Sequence, residues 1–312
     1  MAISDQRSDA DPNFVVTARQ SQLLGLLDAV GGRARRIDFQ KLLFLYCQEV
    51  ARQPPYDFVP YRLGAFSFTS YHDRRKLVDA GLLLDGDDWQ LTELGQRIAL
   101  DFREGSFEIF AKQYAHLSGD DLVADTYRRY PYYATRSEIV ENVLSDDKMS
   151  RLAVKHASPE FSGPSLLTIG YEGRSIEGYL NVLLEAGVTL LCDVRYNAVS
   201  RKYGFSRRTL ENACRHVGIT YEHLPSLGIP SEERRNANSP KARRALLQKY
   251  RQKTLPTLRD EIETLLGWLS DGYRMALMCY ERHPGDCHRG HLAAAVDAYL
   301  GANKPTHQRG DL

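Results

Sequence analysis

The chain predicts an α/β protein, with a helical N-terminal domain carrying a short hairpin and a C-terminal α/β domain built on a mainly parallel sheet. Three observations carry this. Between residues 165 and 302, apolar runs of strand length alternate with helically periodic segments and glycine turns, the pattern of parallel strands joined by helical crossovers. Between residues 15 and 100, apolar positions recur at helical spacing and then give way to two short apolar runs around a turn. A length of 312 residues suits two domains, each able to bury its own core.

A polar start over residues 1–14 reads as disordered. Residues 18–30 and 36–52 follow as helices, the second burying Ile37, Leu42, Leu43, Leu45 and Tyr46 and stopped by Pro54-Pro55. A third helix is expected over residues 70–80. Gly81-Leu-Leu-Leu84, the turn Asp85-Gly-Asp-Asp88 and Trp89-Gln-Leu-Thr92 then form a hairpin before another helix near Glu93. Residues 102–140 are mostly helical, and Tyr127-Arg-Arg-Tyr-Pro-Tyr-Tyr133 is expected to pack as an inter-helix seam. The first domain thus runs over residues 15–144. Residues 145–164, ending in Ser158-Pro159 and Ser162-Gly-Pro164, read as a linker.

In the second domain, strands are expected at residues 166–173, 188–195, 219–224 and 274–280. Helices are expected at residues 175–186, 206–217, 255–270 and 291–300, and residues 303–312 form a tail. No apolar run approaches the roughly 20 residues that span a bilayer, and the N-terminus lacks a signal-peptide core, so a cytoplasmic protein without membrane partners is expected. Five scattered cysteines do not form a disulfide framework. The net charge is +1, yet it is unevenly placed. Six basic residues between Arg195 and Arg215 face Glu211 alone, and seven between Ser231 and Arg251 face Glu232 and Glu233. Such windows suit either a solvated mixed-charge surface or a rim around an anion, DNA and RNA included.

The densest chemistry lies in Met275-Ala-Leu-Met-Cys-Tyr-Glu-Arg-His-Pro-Gly-Asp-Cys-His-Arg289, a strand–loop–helix unit. In open α/β sheets, ligands bind beyond the carboxyl ends of the strands, where helix N-termini favour anions. Three strand ends should meet there, carrying Tyr171-Glu172-Gly173, Asp193-Val-Arg195 and Cys279-Tyr-Glu281 with Cys287-His-Arg289.

The joint pattern Thr-Ile-Gly-Tyr-Glu-Gly, Cys-Asp-Val-Arg, Cys-Tyr-Glu and Cys-His-Arg resembles the bacterial "domain of unknown function" family numbered 488 over residues 165–300. That resemblance implies the domain and the region of its site, and little mechanism. Its motif positions here are Gly170, Tyr171, Glu172, Asp193, Arg195, Cys279, Glu281, Cys287, His288 and Arg289. The sequence departs from the family after Leu227, at Gly228-Ile-Pro-Ser-Glu-Glu-Arg-Arg-Asn236, and the loop from Gly228 to Lys241 would form a basic wall or lid. Residues 15–100 resemble winged-helix proteins and, more loosely, antitoxin-like Panacea domains, which implies DNA or protein contact.

The residues suggest roles on physical grounds. Arg195 and Arg289 would clamp a phosphate or carboxylate beside Tyr171, Glu172, Tyr203 and Cys279. Asp193 or Glu281 would act as acid or base, or hold a divalent metal with His288. Cys287, at a helix start, would be a low-pKa nucleophile or a metal ligand. The structural alternatives are an Asp193–Arg195 sheet brace, a Glu281–Arg289 ion pair, and buried Cys192 and Cys279 as small core residues. No metal set is assigned: Cys279, Cys287, His288 and His291 offer four donors, but the wide loop is atypical of structural zinc. Neither a Rossmann glycine fingerprint nor a Walker loop is present, and no cysteine has arginine six positions on. Arg201, Lys202, Arg207 and Arg208, interleaved with Tyr196, Tyr203 and Phe205, suit a stacking surface in a cationic groove, and Arg74, Arg75 and Lys76 suit a recognition helix.

Three readings follow, which differ in whether turnover occurs. The first is a nucleic-acid-associated protein whose α/β domain binds or processes a nucleotide, base or other anion. The second is a non-catalytic, nucleotide-sensing DNA-binding regulator. The third is a partner-binding module of a defence or toxin–antitoxin system.

Overall fold

A computed structural model describes residues 14–300 and 308–312. The chain divides into two units between Ser158 and Pro159. The expected start over residues 1–14 and the first part of the tail lie almost wholly outside the described residues.

The first unit contains α1 (Ala18–Ala29), β1 (Arg33–Ala34), α2 (Arg36–Glu49), β2 (Val59–Tyr61), β3 (Gly64–Phe66) and α3 (Phe68–Asp79). It continues through β4 (Trp89–Gln90), α4 (Glu93–Leu100), α5 (Gly105–Tyr114), α6 (Gly119–Arg129), α7 (Val140–Val143) and α8 (Lys148–His156). A reciprocal Thr17/Gln20 capping box starts α1, satisfying donors that a helix start otherwise leaves unpaired. Across the Asp85–Asp88 turn Leu83 bridges Leu91, as the expected hairpin requires, but the strand pairing of β4 is antiparallel with β1, which was not foreseen. The short β2–β3 hairpin between α2 and α3 was not foreseen. The tyrosine-rich segment packs as a seam: Tyr130 and Tyr133 lie 5.1 and 4.7 Å from the Phe44 ring, edge-on.

Most of the expected linker belongs to this unit. Asp147 caps α8 by accepting from the Ser150 amide at 3.0 Å, and Val154 packs into a cluster with Val123, Ala124, Tyr127 and Leu144. The Ser-Pro and Gly-Pro turns mark only the end of the segment, while the Asp147-x-x-Ser150 cap starts a helix before them.

The second unit contains β5 (Ser165–Gly170), α9 (Ile176–Glu185), β6 (Leu190–Asp193), α10 (Arg207–His216), β7 (Thr220–His223), α11 (Ser231–Arg235), α12 (Pro240–Lys249), α13 (Arg259–Ser270), β8 (Arg274–Cys279), α14 (His288–Leu300) and β9 (Gln308–Asp311). Its sheet has the order β7-β6-β8-β5-β9, with every pair parallel. β5 and β8 are buried along their whole length, as a sheet covered on both faces requires. Gly170 is in register with Cys279, and Asp193 with Met278, so the three motif-bearing strand ends share one sheet edge. β9, within the expected tail, pairs with β5 as an edge strand. The anticipated lid from Gly228 to Lys241 contains α11 and the start of α12, which opens at Ser239, accepting from the Ala242 amide, with Pro240 in the first turn. No helix of the described residues is long and apolar enough to cross a membrane.

One feature of the first core is electrostatically costly. Lys41 is buried, and its ammonium donates to the Ala65 carbonyl at 3.0 Å, with no ion pair to a carboxylate among the described residues. Burial lowers its pKa to about 7. Gly64 makes room for it: a Cβ there would lie 3.1 Å from Lys41 Nζ and 2.4 Å from the Tyr127 ring. Between about pH 7 and pH 10 the unfolded chain binds a proton that the folded chain does not, so stability should rise with pH through that window. Lys41→Met should stabilise the fold at pH 7 by roughly 2–4 kcal/mol and flatten that rise. Denaturant melts at pH 7 and pH 9.5 check this; an unchanged slope in the variant would assign it to another group.

Candidate functional site at the carboxyl edge of the sheet

The polar residues of this edge form two layers. The inner one is centred on Asp193 and Arg195, buried at the end of β6 and just beyond it. Arg195 Nε and Nη2 donate to the Asp193 carboxylate at 2.8 and 2.5 Å. Its Nη1 donates to the Phe205 carbonyl at 2.9 Å and the Tyr171 hydroxyl at 3.2 Å. The Tyr221 hydroxyl from β7 donates to Asp193 Oδ2 at 2.6 Å. Burial alone would lower the Arg195 pKa, but the bonds and charge of Asp193 outweigh it and raise the value. Burial, then Asp193, likewise raises the Tyr221 hydroxyl.

The expected roles of Asp193 as acid/base and Arg195 as anion clamp are therefore corrected. Each occupies the other, and the structural alternative, a sheet brace, describes them. Tyr171 is also interior: its ring stacks on Phe205 at 4.4 Å and meets Tyr280 edge-on at 5.3 Å. Phe205 is buried and cannot serve as a base-stacking platform, whereas Tyr196 is exposed and Tyr203 half-buried.

Arg289 is the second correction. It is fully buried at the start of α14 and donates to the main-chain carbonyls of Glu281 and Arg282 at 2.5 and 2.9 Å, and to Thr168 Oγ1 at 3.4 Å. It therefore holds the β8–α14 loop through that loop's backbone. This replaces both the anion clamp and the Glu281–Arg289 ion pair. The loop lies directly on β5, since a Cβ on Gly170 would fall 1.9 Å from the Glu281 carbonyl oxygen. Only glycine fits there.

Between these anchors sit Cys279, Cys287 and His288, all buried, with one ligand atom from each lying within 4.8 Å of the others. His288 Nδ1 is 3.9 Å from Cys279 Sγ and 3.8 Å from Cys287 Sγ. The other ring nitrogen, Nε2, is 2.9 Å from the Val194 carbonyl, an acceptor only, so Nε2 carries hydrogen. Glu281 Oε2 is 3.4 Å from Cys279 Sγ. Burial and the neighbouring Cys279 sulfur push the Cys287 thiol well above its ordinary range, so the expected low-pKa nucleophile is not formed. Desolvation outweighs the helix start. His291 is half-buried and lines a different cavity with Arg251, Leu255, Pro256 and Ile262.

The outer layer is exposed or half-exposed. It comprises Glu172 and Arg174 after β5, Arg201, Lys202, Arg207 and Arg208 after β6, and Glu281 and Arg282 after β8. Glu172 Oε2 accepts from the Arg282 amide at 3.0 Å, and Lys202 Nζ reaches the Tyr171 carbonyl at 3.4 Å. Sequence reasoning missed Tyr221 and His223, the latter 2.8 Å from the Arg195 carbonyl through Nε2. Their two-residue spacing on β7, which places both on one face, was the available signal. In the first unit, Arg74 is also corrected: it is buried against Trp89 and donates to the Gly86 and Asp88 carbonyls, whereas Arg75 and Lys76 are exposed.

If Asp193 and Arg195 brace the edge, Asp193→Asn should cost roughly 3–5 kcal/mol in denaturant unfolding of the full chain, because it leaves a buried guanidinium uncompensated. Tyr221→Phe should cost about 1 kcal/mol. A loss below about 1 kcal/mol for Asp193→Asn would rule out the bracing role.

Residues 175–296 match the model of a family described as "Domain of unknown function DUF488". The match begins after the Tyr171-Glu172 strand end and includes the other motif positions, from Asp193 to Arg289. No curated protein and no solved structure matches the chain. The C-terminal unit is thus similar, over that span, to the "Domain of unknown function DUF488" family.

Proposed function

We propose that the chain is a nucleic-acid-associated protein whose C-terminal unit binds a phosphate-bearing ligand, a nucleotide or a polynucleotide, at the carboxyl edge of its sheet. The observation that carries this is the outer layer. Six cations (Arg174, Arg201, Lys202, Arg207, Arg208 and Arg282) stand on loops after three adjacent strand ends or in the first turn of α10. None is ion-paired to a carboxylate among the described residues. Arg207 and Arg208 sit where a helix start already favours anions, and α10 has no side-chain cap. Like charges at a helix N-terminus are unfavourable alone and are relieved by an anion. Exposed Tyr196 adds a flat surface of the kind on which a base stacks.

The first unit supports the same reading in part. Its helices α1, α2 and α3 with the hairpin around Asp85–Asp88 have the order of a winged helix, and Arg75 and Lys76 are exposed on α3. The inserted β2–β3 hairpin departs from that pattern. A second reading, binding without turnover, is favoured by the inner layer, because Asp193 and Arg195 are spent on each other.

Fluorescence anisotropy with labelled single- and double-stranded DNA and RNA, and with nucleotides, tests the proposal. Arg207→Ala/Arg208→Ala should weaken binding about tenfold and lower the slope of log K against log salt by about one to two. Equal affinity and slope in the variant would remove the outer layer as the binding surface.

A further inference from the structure

We infer that Cys279, Cys287 and His288 are the ligands of a thiophilic divalent cation of the zinc class, with its fourth position open beside Glu281. The inference stands apart from the anion-binding reading, since it uses none of the outer cations. A tetrahedral centre with Zn–S near 2.3 Å and Zn–N near 2.0 Å requires sulfur-to-nitrogen edges of about 3.6 Å. The observed sulfur-to-nitrogen edges are 3.9 and 3.8 Å, so each need close by only a few tenths of an ångström, and the two sulfurs lie within 4.8 Å of each other.

Orientation argues the same way. The contact from His288 Nε2 to the Val194 carbonyl fixes the tautomer in which Nδ1 presents a lone pair to both sulfurs. A second ring nitrogen tied to a carbonyl is the usual support of a metal-bound histidine. Two sulfurs and an imidazole select zinc-class ions over magnesium or calcium.

The positions are also held in advance. Cys279 ends β8, Cys287 immediately precedes α14, His288 opens it, and Arg289 pins the connecting loop through the Glu281 and Arg282 carbonyls. The wide Cys279–Cys287 spacing that argues against zinc in the sequence is thereby closed by an arginine rather than by a tight turn. Glu281 touches the Cys279 sulfur but lies outside the mutually close trio. It is placed as a neighbour of the open position, where a carboxylate can take a proton from a bound water, rather than as a ligand.

The test uses the full chain. Elemental analysis after native purification, followed by demetallation and titration with Co²⁺, should give about one ion per chain, with a sulfur-to-cobalt charge-transfer band and the strong visible bands of tetrahedral cobalt. Cys287→Ser should lose that band, and Glu281→Gln should keep the stoichiometry. Should Cys287→Ser not fold, alkylation of the wild-type chain replaces it: Co²⁺ should protect Cys279 and Cys287. A cobalt-silent protein with freely alkylated thiols, a Cys279–Cys287 disulfide, or a signal retained in folded Cys287→Ser would each overturn the inference. Arg207→Ala/Arg208→Ala should leave the metal stoichiometry unchanged, so loss of anion binding and loss of metal are separately readable.

Discussion

The carboxyl edge of the C-terminal sheet depends on one buried ion pair. Arg195 and Asp193 are two residues apart, yet their bonds reach Tyr171 beyond β5, Tyr221 on β7 and the Phe205 carbonyl at the far end of the following loop. Removing two charges from water is costly, and the cost is offset only when the geometry is close and the remaining donors are satisfied. Here the guanidinium meets one carboxylate, one carbonyl and one hydroxyl. The pair therefore specifies where the loop after β6 and the loop after β5 lie relative to each other.

Arg289 repeats the device without a carboxylate. A planar fork of donors, always charged, suits two successive carbonyls better than an ammonium would. The edge thus spends its two most buried arginines on architecture, while the cations around it keep their solvent exposure. Between the two layers, Cys279, Cys287 and His288 are shielded from water, and Cys279 touches the half-exposed Glu281.

Much of the fold was legible in the residues. The parallel sheet followed from alternating apolar runs and glycine turns, and the convergence of three polar strand ends followed from parallel topology. What escaped were elements whose signal is not periodic. α8 is announced by a cap at Asp147 rather than by a long apolar stripe, β2 and β3 are three residues each, and β9 is a strand only because β5 offers an unpaired edge. In the site, Asp193, Arg195 and Arg289 were found as positions but misjudged as actors, because a chain shows which polar groups approach an edge and not which of them satisfy one another.

The sequence by itself determined the two-part organisation, the sheet, the edge that carries its polar residues and the identity of the Cys-Glu-Cys-His-Arg set, since these depend on local periodicity and on the rule that parallel strands end together. Tertiary structure alone decided which arginines are buried and spent, that Phe205 and Tyr171 pack inside rather than stack a ligand, and that Cys279 and Cys287, eight positions apart, share one histidine nitrogen. The physical reason is that hydrogen-bond satisfaction and desolvation are set by neighbours distant in the chain. Spacing along a sequence does not encode those neighbours until the loops are closed.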